Sequence, residues 1–593
     1  MAGMSDPMAF RLERGLKAAT SLLLSELSGE GGWVGRLSGS ALSTATAVTA
    51  LAAVDARAHK ARIDAGLSWL AANQNPDGGW GDTIRSRSNL STTALVWAAF
   101  GLADGEGRHR ECVKSAESYL IRAAGSLEGL PGAIEACYGK DRTFSIPILM
   151  MLALCGRLGP EGWRRVRALP FELAALPRGL FGALRLPVVS YALPALIAIG
   201  QAIHRRSGRL NPLRDLTMGR TLRVLEEIQP VNGGFLEATP LTSFVTMSLA
   251  AAGRGDHVVA RKGVGFLVTS ARADGSWPID TNLSTWVTTL AVKALRHQPG
   301  VLASGRCGAL REWLLRQQFL VKHPYTGADP GGWSWTPLPG AVPDADDTAG
   351  ALLALWELRG KDDAAGVDAR ARCDGAAVAG VRWLLDVQNR DGGIPTFCRG
   401  WGTLPFDRST PELTAHALRA WRAWKGVVAL PRVRVAMDRA LGFLADSQRS
   451  DGAWVPLWFG NENAPRDENP VYGTSMVLQA LENGGRELAM VSRARQFLLG
   501  CQNADGGWGG DGGVGSTIEE TALAVEALAA GGDAVGRNAA RRGVEWLLGA
   551  MEAGGLDQPS PIGLYFASLW YFERLYPVIF SVSALGVWAR NGD

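Results

Sequence analysis

The sequence predicts an all-α protein folded as two α/α barrels, each a ring of helical hairpins closed on itself. Three observations lead there. A glycine-rich turn recurs along the chain, amphipathic helical runs lie upstream of the turns, and the helix after each turn is the more apolar of its pair. A chain of 593 residues is long enough for two or more domains.

The turn runs from a glutamine to an aromatic six residues later. Gln74 to Trp80, Gln229 to Phe235, Gln448 to Trp454 and Gln502 to Trp508 keep both ends. Gln388 to Ile394 loses the aromatic, Arg272 to Trp277 loses the glutamine, and Gly31-Gly32-Trp33 resembles a worn first copy. The glycines supply the left-handed cap that stops the preceding helix. Upstream lie runs such as Gly66 to Leu70 and Arg382 to Leu385. Downstream, a second helix carries Thr-Ala or a close variant: Thr93-Ala94, Thr246-Met247, Thr288-Thr289, Thr348-Ala349, Thr414-Ala415, Thr474-Ser475 and Thr521-Ala522. Thr410-Pro411 and Asn469-Pro470 mark helix starts with a capping side chain and a first-turn proline. Two-helix units of roughly 50–60 residues stack their faces, with the apolar second helices as the inner ring.

Composition narrows the function. The chain is 47% hydrophobic and 20% charged with a net charge of +4, and no basic-aromatic stripe is present, which argues against nucleic-acid binding. Seven scattered cysteines without a CxxC pair suit a reducing compartment. Residues 1–15 have no apolar core, so no signal peptide is expected.

The residue two before each repeat threonine occupies one slot at the same end of each inner helix. That slot holds Phe244, Trp286, Asp346, Glu412, Tyr472 and Glu519, and the position four further on adds His416 and Met476. Asp346 sits between Asp344 and Asp347 at the start of an apolar run, Gly350 to Trp356. Asp344 with Asp347 also has the spacing of a helix cap. Crowded carboxylates raise the pKa of at least one. A protonated carboxylic acid in an apolar, aromatic hollow can protonate an alkene, and aromatic faces then stabilise the cation without trapping it. Asp346 is the expected donor, with Asp344 and Asp347 hydrogen-bonding around it, His416 stabilising the carboxylate left behind, and Tyr472 supporting the network.

The chain resembles the class II triterpene cyclases, and the squalene–hopene cyclases most. Asp344 to Ala349 matches the family's Asp-x-Asp-Asp-Thr-Ala, Gly331-Gly332-Trp333 its upstream Gly-Gly-Trp, Thr414-Ala415-His416 its Thr-Ala-His, and Tyr472-Gly473-Thr474 its Tyr-Gly-Thr. The glutamine-to-tryptophan turns resemble its QW repeats. The resemblance implies that residues 1–15 with 260–593 form the barrel bearing the acid motif and 16–259 the second barrel. It implies Asp346 as catalytic acid with Asp344, Asp347, His416 and Tyr472, and Trp286, Trp335, Tyr565 and Phe572 as aromatics against the substrate. Phe244 and Glu412 join the substrate-binding set from their slots. The implied substrate is squalene or a related linear polyprenoid, with a hopanoid-type product and no metal or other cofactor. Two stretches depart from the family: Leu42 to Thr46 lacks its glutamate, and Leu236 to Ser243 replaces its Gln-Pro-Pro.

The apolar run Leu186 to Gly200, broken by Pro187 and Pro194, is too short to span a bilayer. Arg164, Arg165, Arg167, Arg178 and Arg185 precede it, and Arg205, Arg206 and Arg209 follow. We expect a monotopic segment near 178–203 dipping into one leaflet at the cytoplasmic face of the cell membrane. A homodimer is compatible with the sequence. A zinc-dependent prenyltransferase-like barrel would have to draw on Cys398 and His416, whose spacing fits no standard zinc motif. A non-catalytic repeat scaffold would not require the acid, histidine and tyrosine in register.

Overall fold

Helices divide by what they bury. Ile518–Ala529 buries every one of its 12 residues, and Ala41–Asp55 buries the unbroken run from Ala41 to Leu51. A helix apolar on every side is one surrounded by others. Arg110–Ala124 buries only Val113, Ala116 and Leu120, a single stripe that faces inward from an outer layer. The computed structural model describes residues 7–591, apart from 105–106, 140–141, 178–190, 209, 299, 303, 360–365, 398–404, 429, 482–486, 532 and 567–568.

Among the described residues, six inner helices close a ring. Ser284–Leu295, Ala345–Leu358, Pro411–Trp424, Pro470–Leu478, Ile518–Ala529 and Tyr576–Asn591 each pack on the next, and the last packs back on the first. A second ring closes through Ala41–Asp55, Leu90–Ala103, Ser145–Leu154, Leu193–Ser207 and Thr239–Ala251. Among the described residues, besides isolated bridges, extended structure forms two antiparallel pairs, Gly39–Ser40 with Trp277–Pro278 and Gly563–Tyr565 with Leu569–Tyr571.

Each turn staples an outer helix to an inner one. In the last copy Gln502 Nε2 donates to Gly506 O (2.8 Å) and to Ala539 O of the next outer helix (2.9 Å). Trp508 Nε1 donates back to Leu498 O (2.7 Å), and its backbone N–H donates to Thr521 Oγ1 on the inner helix (2.9 Å). A threonine of the inner helix is therefore a receptor for the turn, although in the Phe235 copy Thr242 takes the part expected of Thr246. The same bonds reveal a copy that the sequence disguises. Gln318 reaches Gly331 O and Ala376 O, and Trp333 N–H reaches Thr348 Oγ1, across an insertion carrying the exposed Leu320 and Val321.

Two staples cross between distant parts of the chain. Trp33 N–H donates to Thr288 Oγ1 and Trp277 N–H to Thr44 Oγ1. Pro7–Ser25 and its turn thus serve the six-helix ring, whereas Val258–Ser270 and its turn serve Ala41–Asp55 of the other. These bonds tie Trp33 to the six-helix ring and Trp277 to the other. Periodicity could not show this, because the threonine that receives each of these two turns lies more than 200 residues away in sequence.

No helix among the described residues is long and apolar enough to cross a membrane. Of the expected lipid-facing run, Leu186 to Ser190 lies outside the described residues, as do Arg178, Arg185 and Arg209. The remainder enters the inner helix Leu193–Ser207, where Ile197, Ala198 and Ile199 are fully buried. That part of the run is barrel core. Apolar exposure lies beside it instead: Leu173, Leu176, Leu213 and Leu216 line an open groove of about 810 Å³, and Leu210 is 98% exposed.

Candidate active site

The acid motif is held from several sides at the start of Ala345–Leu358. Asp344 caps that helix, its Oδ1 accepting from Asp347 N (2.8 Å), so capping and acid clustering are one arrangement. Asp344 N donates to Trp333 O (2.9 Å) and Ala345 N to Thr396 O (2.7 Å). Gly332 permits this approach: a Cβ there would stand 2.9 Å from Pro343 Cβ.

Asp346 points into a cavity of about 90 Å³ and stands 2.6 Å from His416 Nδ1 through its Oδ1. His416 comes from Pro411–Trp424, the neighbouring inner helix, so the slot alignment does bring the pair together. Leu283, Trp286, Trp335, Phe397, Trp458, Phe459, Phe566 and Tyr571 provide the apolar and aromatic lining, with Tyr565, Thr396, Asp344 and Asp347. Trp286 meets the His416 ring edge-on at 6.1 Å and donates from Nε1 to Tyr576 Oη (3.0 Å).

The electrostatics distinguish the three aspartates. Burial, opposed by its cap bond and reinforced by the charge of Asp346, pushes Asp344 up to about 8. Burial with the charges of Asp344 and Asp346 raises Asp347 well above the usual carboxylate range. Burial thus favours the neutral form of both flanking groups. His416 is lowered by burial, opposed by its bond to Asp346 and helped by the charges of Arg419 and Lys293. Burial therefore favours the neutral imidazole, and Asp346 is the member of the pair that faces the cavity. Burial, joined by the charge of Asp346, also raises Glu412, to about 7.

The remaining expected residues divide. Glu412 is buried and accepts from Leu457 N (2.7 Å), which fixes the loop carrying Trp458 and Phe459. Tyr472 stacks on Phe459 with ring centroids 4.0 Å apart and stands behind the lining. Glu519 accepts from Ser560 N (2.7 Å) and Met476 is buried; neither lines the cavity. Phe244 belongs to Thr239–Ala251, an inner helix of the other barrel, and is no part of the cavity wall. The turn copies repeat in both barrels, so the slot rule could not tell one ring from the other. Phe572 is also outside the lining: its ring faces the Arg85 guanidinium at 5.7 Å, and its neighbour Tyr571 lines the cavity instead. In the extended Leu569–Tyr571 strand, adjacent side chains alternate faces, so a one-residue error reverses the face. Cys398, the one cysteine weighed as a metal ligand, lies outside the described residues.

Sequence reasoning missed Thr396, Phe397, Trp458 and Phe459. A signal existed. Trp335 was found two residues after the turn aromatic Trp333. Thr396 and Phe397 follow Ile394 by two and three, and Trp458 and Phe459 follow Trp454 by four and five. The segment leading from each turn into its inner helix passes the cavity mouth.

Comparison with known proteins agrees with this geometry. The family model for the squalene-hopene cyclase C-terminal domain matches residues 283–590, and that for the N-terminal domain matches 16–192. The chain is 27% identical to the squalene–hopene cyclase of Alicyclobacillus acidocaldarius, over 97% of each chain. It is 28% identical to enfumafungin synthase of Hormonema carpetanum over 50% of this chain, and spans about a quarter (24%) of that protein's length. The solved structure of ent-copalyl diphosphate synthase from Streptomyces platensis shares the fold, with a TM-score of 0.56 at 19% identity, covering 98% of this chain and 100% of that one.

Proposed function

The chain belongs to the squalene–hopene cyclase family of class II terpene cyclases, and we propose that it protonates a terminal double bond of squalene and drives cationic cyclisation to a hopanoid-type triterpene. One observation carries this reading: Asp346 faces an aromatic-lined cavity while paired at 2.6 Å with a buried histidine of lowered basicity. Asp346 gives its proton to the less substituted carbon of the terminal alkene, whose π electrons form the new C–H bond. The tertiary cation is then attacked by the next double bond, and each ring closure moves the charge one isoprene unit on. Trp286, Trp335, Phe397 and Trp458 offer π faces along the way, each worth roughly 0.5–2 kcal/mol when desolvated. Loss of a proton, or capture of water with loss of its proton, ends the cascade. One proton enters and one leaves, so the proposed chemistry is redox-neutral.

Cavities for sizeable ligands are roughly 300–1,000 Å³, so a polyprenoid opens the present hollow by rotating aromatic side chains. Phe397, Phe566 and Trp458 pack on one another with centroids 5.6 to 6.2 Å apart and form the movable wall. A different linear terpenoid remains the second reading, since the acid pair does not select chain length. For substrate uptake we propose contact with one leaflet, at the cytoplasmic face of the cell membrane, through the exposed leucine groove at Leu173, Leu176, Leu213 and Leu216. Arg220 and Arg223 on the groove wall would lie at headgroup level.

The test is incubation with squalene in detergent, with and without a chelator, followed by mass spectrometry of the extracted lipids. A cyclised isomer or its hydrate, formed equally with chelator, supports the proposal; unchanged squalene contradicts it.

A further inference from the structure

A second buried carboxyl lies close to the cavity wall, on the loop that precedes Ser284–Leu295. Asp280 is 0% exposed and neither of its oxygens makes a well-formed hydrogen bond, although Trp335, Thr281 N and Tyr565 stand close enough to act on its charge. Its neighbour Glu237 is buried in the same place and differs in every respect. Glu237 accepts from Asn232 Nδ2 (2.7 Å), Gly340 N (2.7 Å) and Thr281 Oγ1 (2.9 Å). It adopts the left-handed conformation (φ 54°) that L side chains rarely take, so the loop is strained around it. Glu237 is thus a satisfied structural carboxylate, whereas Asp280 is left without a well-formed hydrogen bond in a region where unpaired polar groups are rare.

Two cavity-lining side chains face Asp280 and share its condition. Trp335 Nε1 and Tyr565 Oη are both buried, both lack a well-formed hydrogen bond, and both come close enough to bias the charge of Asp280. The backbone of each is anchored, Trp335 by its carbonyl, which accepts from Thr285 N (2.9 Å), and Tyr565 by its pairing with Leu569. Burial and the charge of Glu237 push Asp280 well above the ordinary carboxylate range, so it carries its proton. A carboxyl, an indole N–H and a phenol thus meet without a well-formed hydrogen bond among them. Among the described residues the cavity lining contains no lysine or arginine, and it contains three carboxyls.

We propose that Asp280, Trp335 and Tyr565 form a second polar site on the cavity wall that holds one uncharged hydroxyl oxygen and rejects a diphosphate. This rests on the cyclase reading and adds to it what the far functional group must be. The oxygen has two possible sources. It is a water molecule that captures the final cation, forming the C–O bond and losing its extra proton to the Asp346 carboxylate that initiation left in the same lining, or it is a hydroxyl of the substrate itself. Each satisfies the three groups. A diphosphate would bring its negative charge into a lining that, among the described residues, offers no lysine or arginine as counter-ion.

The test has a binding arm and a turnover arm. Tryptophan fluorescence titration would compare a C20 prenyl alcohol with the corresponding prenyl diphosphate, using wild type, Tyr565→Phe and Asp280→Leu. The alcohol should bind at least about 10-fold more tightly than the diphosphate, and both variants should erase most of that preference, as expected for loss of one or two hydrogen bonds. Turnover of squalene in ¹⁸O-water identifies the source: label in the product makes water the occupant, and its absence with oxygen retained from a prenyl alcohol makes the substrate hydroxyl the occupant. Tyr565→Phe keeps the ring and the fold, so it remains informative if Asp280→Leu does not fold. A diphosphate bound as tightly as the alcohol overturns the proposal, as does Tyr565→Phe leaving both alcohol affinity and the alcohol-to-alkene product ratio unchanged. Turnover that survives Asp346→Asn would instead refute the acid assignment and leave the binding preference standing.

Discussion

Replacing His416 with alanine isolates the contact that most distinguishes Asp346 from its neighbours. His416 Nδ1 and Asp346 Oδ1 stand 2.6 Å apart. Once Asp346 has given up its proton the contact is a hydrogen bond to a charged group, which contributes about 1.5–3 kcal/mol. The contact is strongest when Asp346 has just become a carboxylate, which is when the alkene acquires the proton, so its loss falls on the transition state. At about 1.4 kcal/mol per factor of ten, kcat should drop by about 10- to 150-fold. KM should hardly move, because His416 is buried behind Asp346 and is not a cavity-lining group. Initial rates from gas chromatography of extracted product, with melting temperatures measured in parallel, separate catalysis from folding. The product skeleton should be unchanged, since ring closures occur away from the imidazole. A variant with normal kcat and raised KM would refute the reasoning, for it would make His416 a substrate contact.

Thr348→Val removes the receptor for Trp333 N–H beneath the acid motif, and Thr521→Val removes the equivalent receptor for Trp508. Each should destabilise by about 1–3 kcal/mol in urea melts, but only Thr348→Val should also slow turnover; equal effects on turnover would contradict the pairing of staple and acid. Glu519 is pushed from 4.5 to about 8, chiefly by burial and then by Glu520. Between those values the folded chain keeps a proton the unfolded chain has released, so this group lowers stability as pH rises from about 5 to about 8. Glu519→Gln should therefore gain stability over wild type at pH 8 more than at pH 5, and parallel stability profiles would contradict the burial argument. Leu213→Ser with Leu216→Ser should reduce sedimentation with anionic vesicles at unchanged melting temperature, whereas Ile199→Ser should lower the melting temperature itself. Vesicle binding unaffected by the leucine pair would exclude the groove.

The barrel architecture was legible because its stabilising bonds are local in pattern. A glutamine, a turn and a threonine leave a mark every few dozen residues, and the buried helices are apolar enough to be recognised. Asp346 and His416 were legible as a pair for the same reason, since helices in one ring present equivalent positions to one centre. Phe244 shows the limit: its turn is received by Thr242 rather than Thr246, and its helix Thr239–Ala251 closes onto Ala41–Asp55 in the other ring. The membrane run shows another, since an apolar stretch reads alike whether lipid or protein covers it. Phe397, Trp458 and Phe459 lie on irregular segments with no period to read. Asp280 was invisible because its interest lies in what it lacks, a well-formed hydrogen bond, which no sequence displays.

The central claim is that Asp346 supplies the proton that starts the cascade. Cyclisation of squalene in deuterium oxide by the wild-type chain and by Asp346→Asn tests it most directly, with the site of label read by mass spectrometry and NMR. The account predicts one deuterium on the terminal ring carbon of the wild-type product and no product from a variant that melts like wild type. Labelled product formed at an undiminished rate by Asp346→Asn would contradict it.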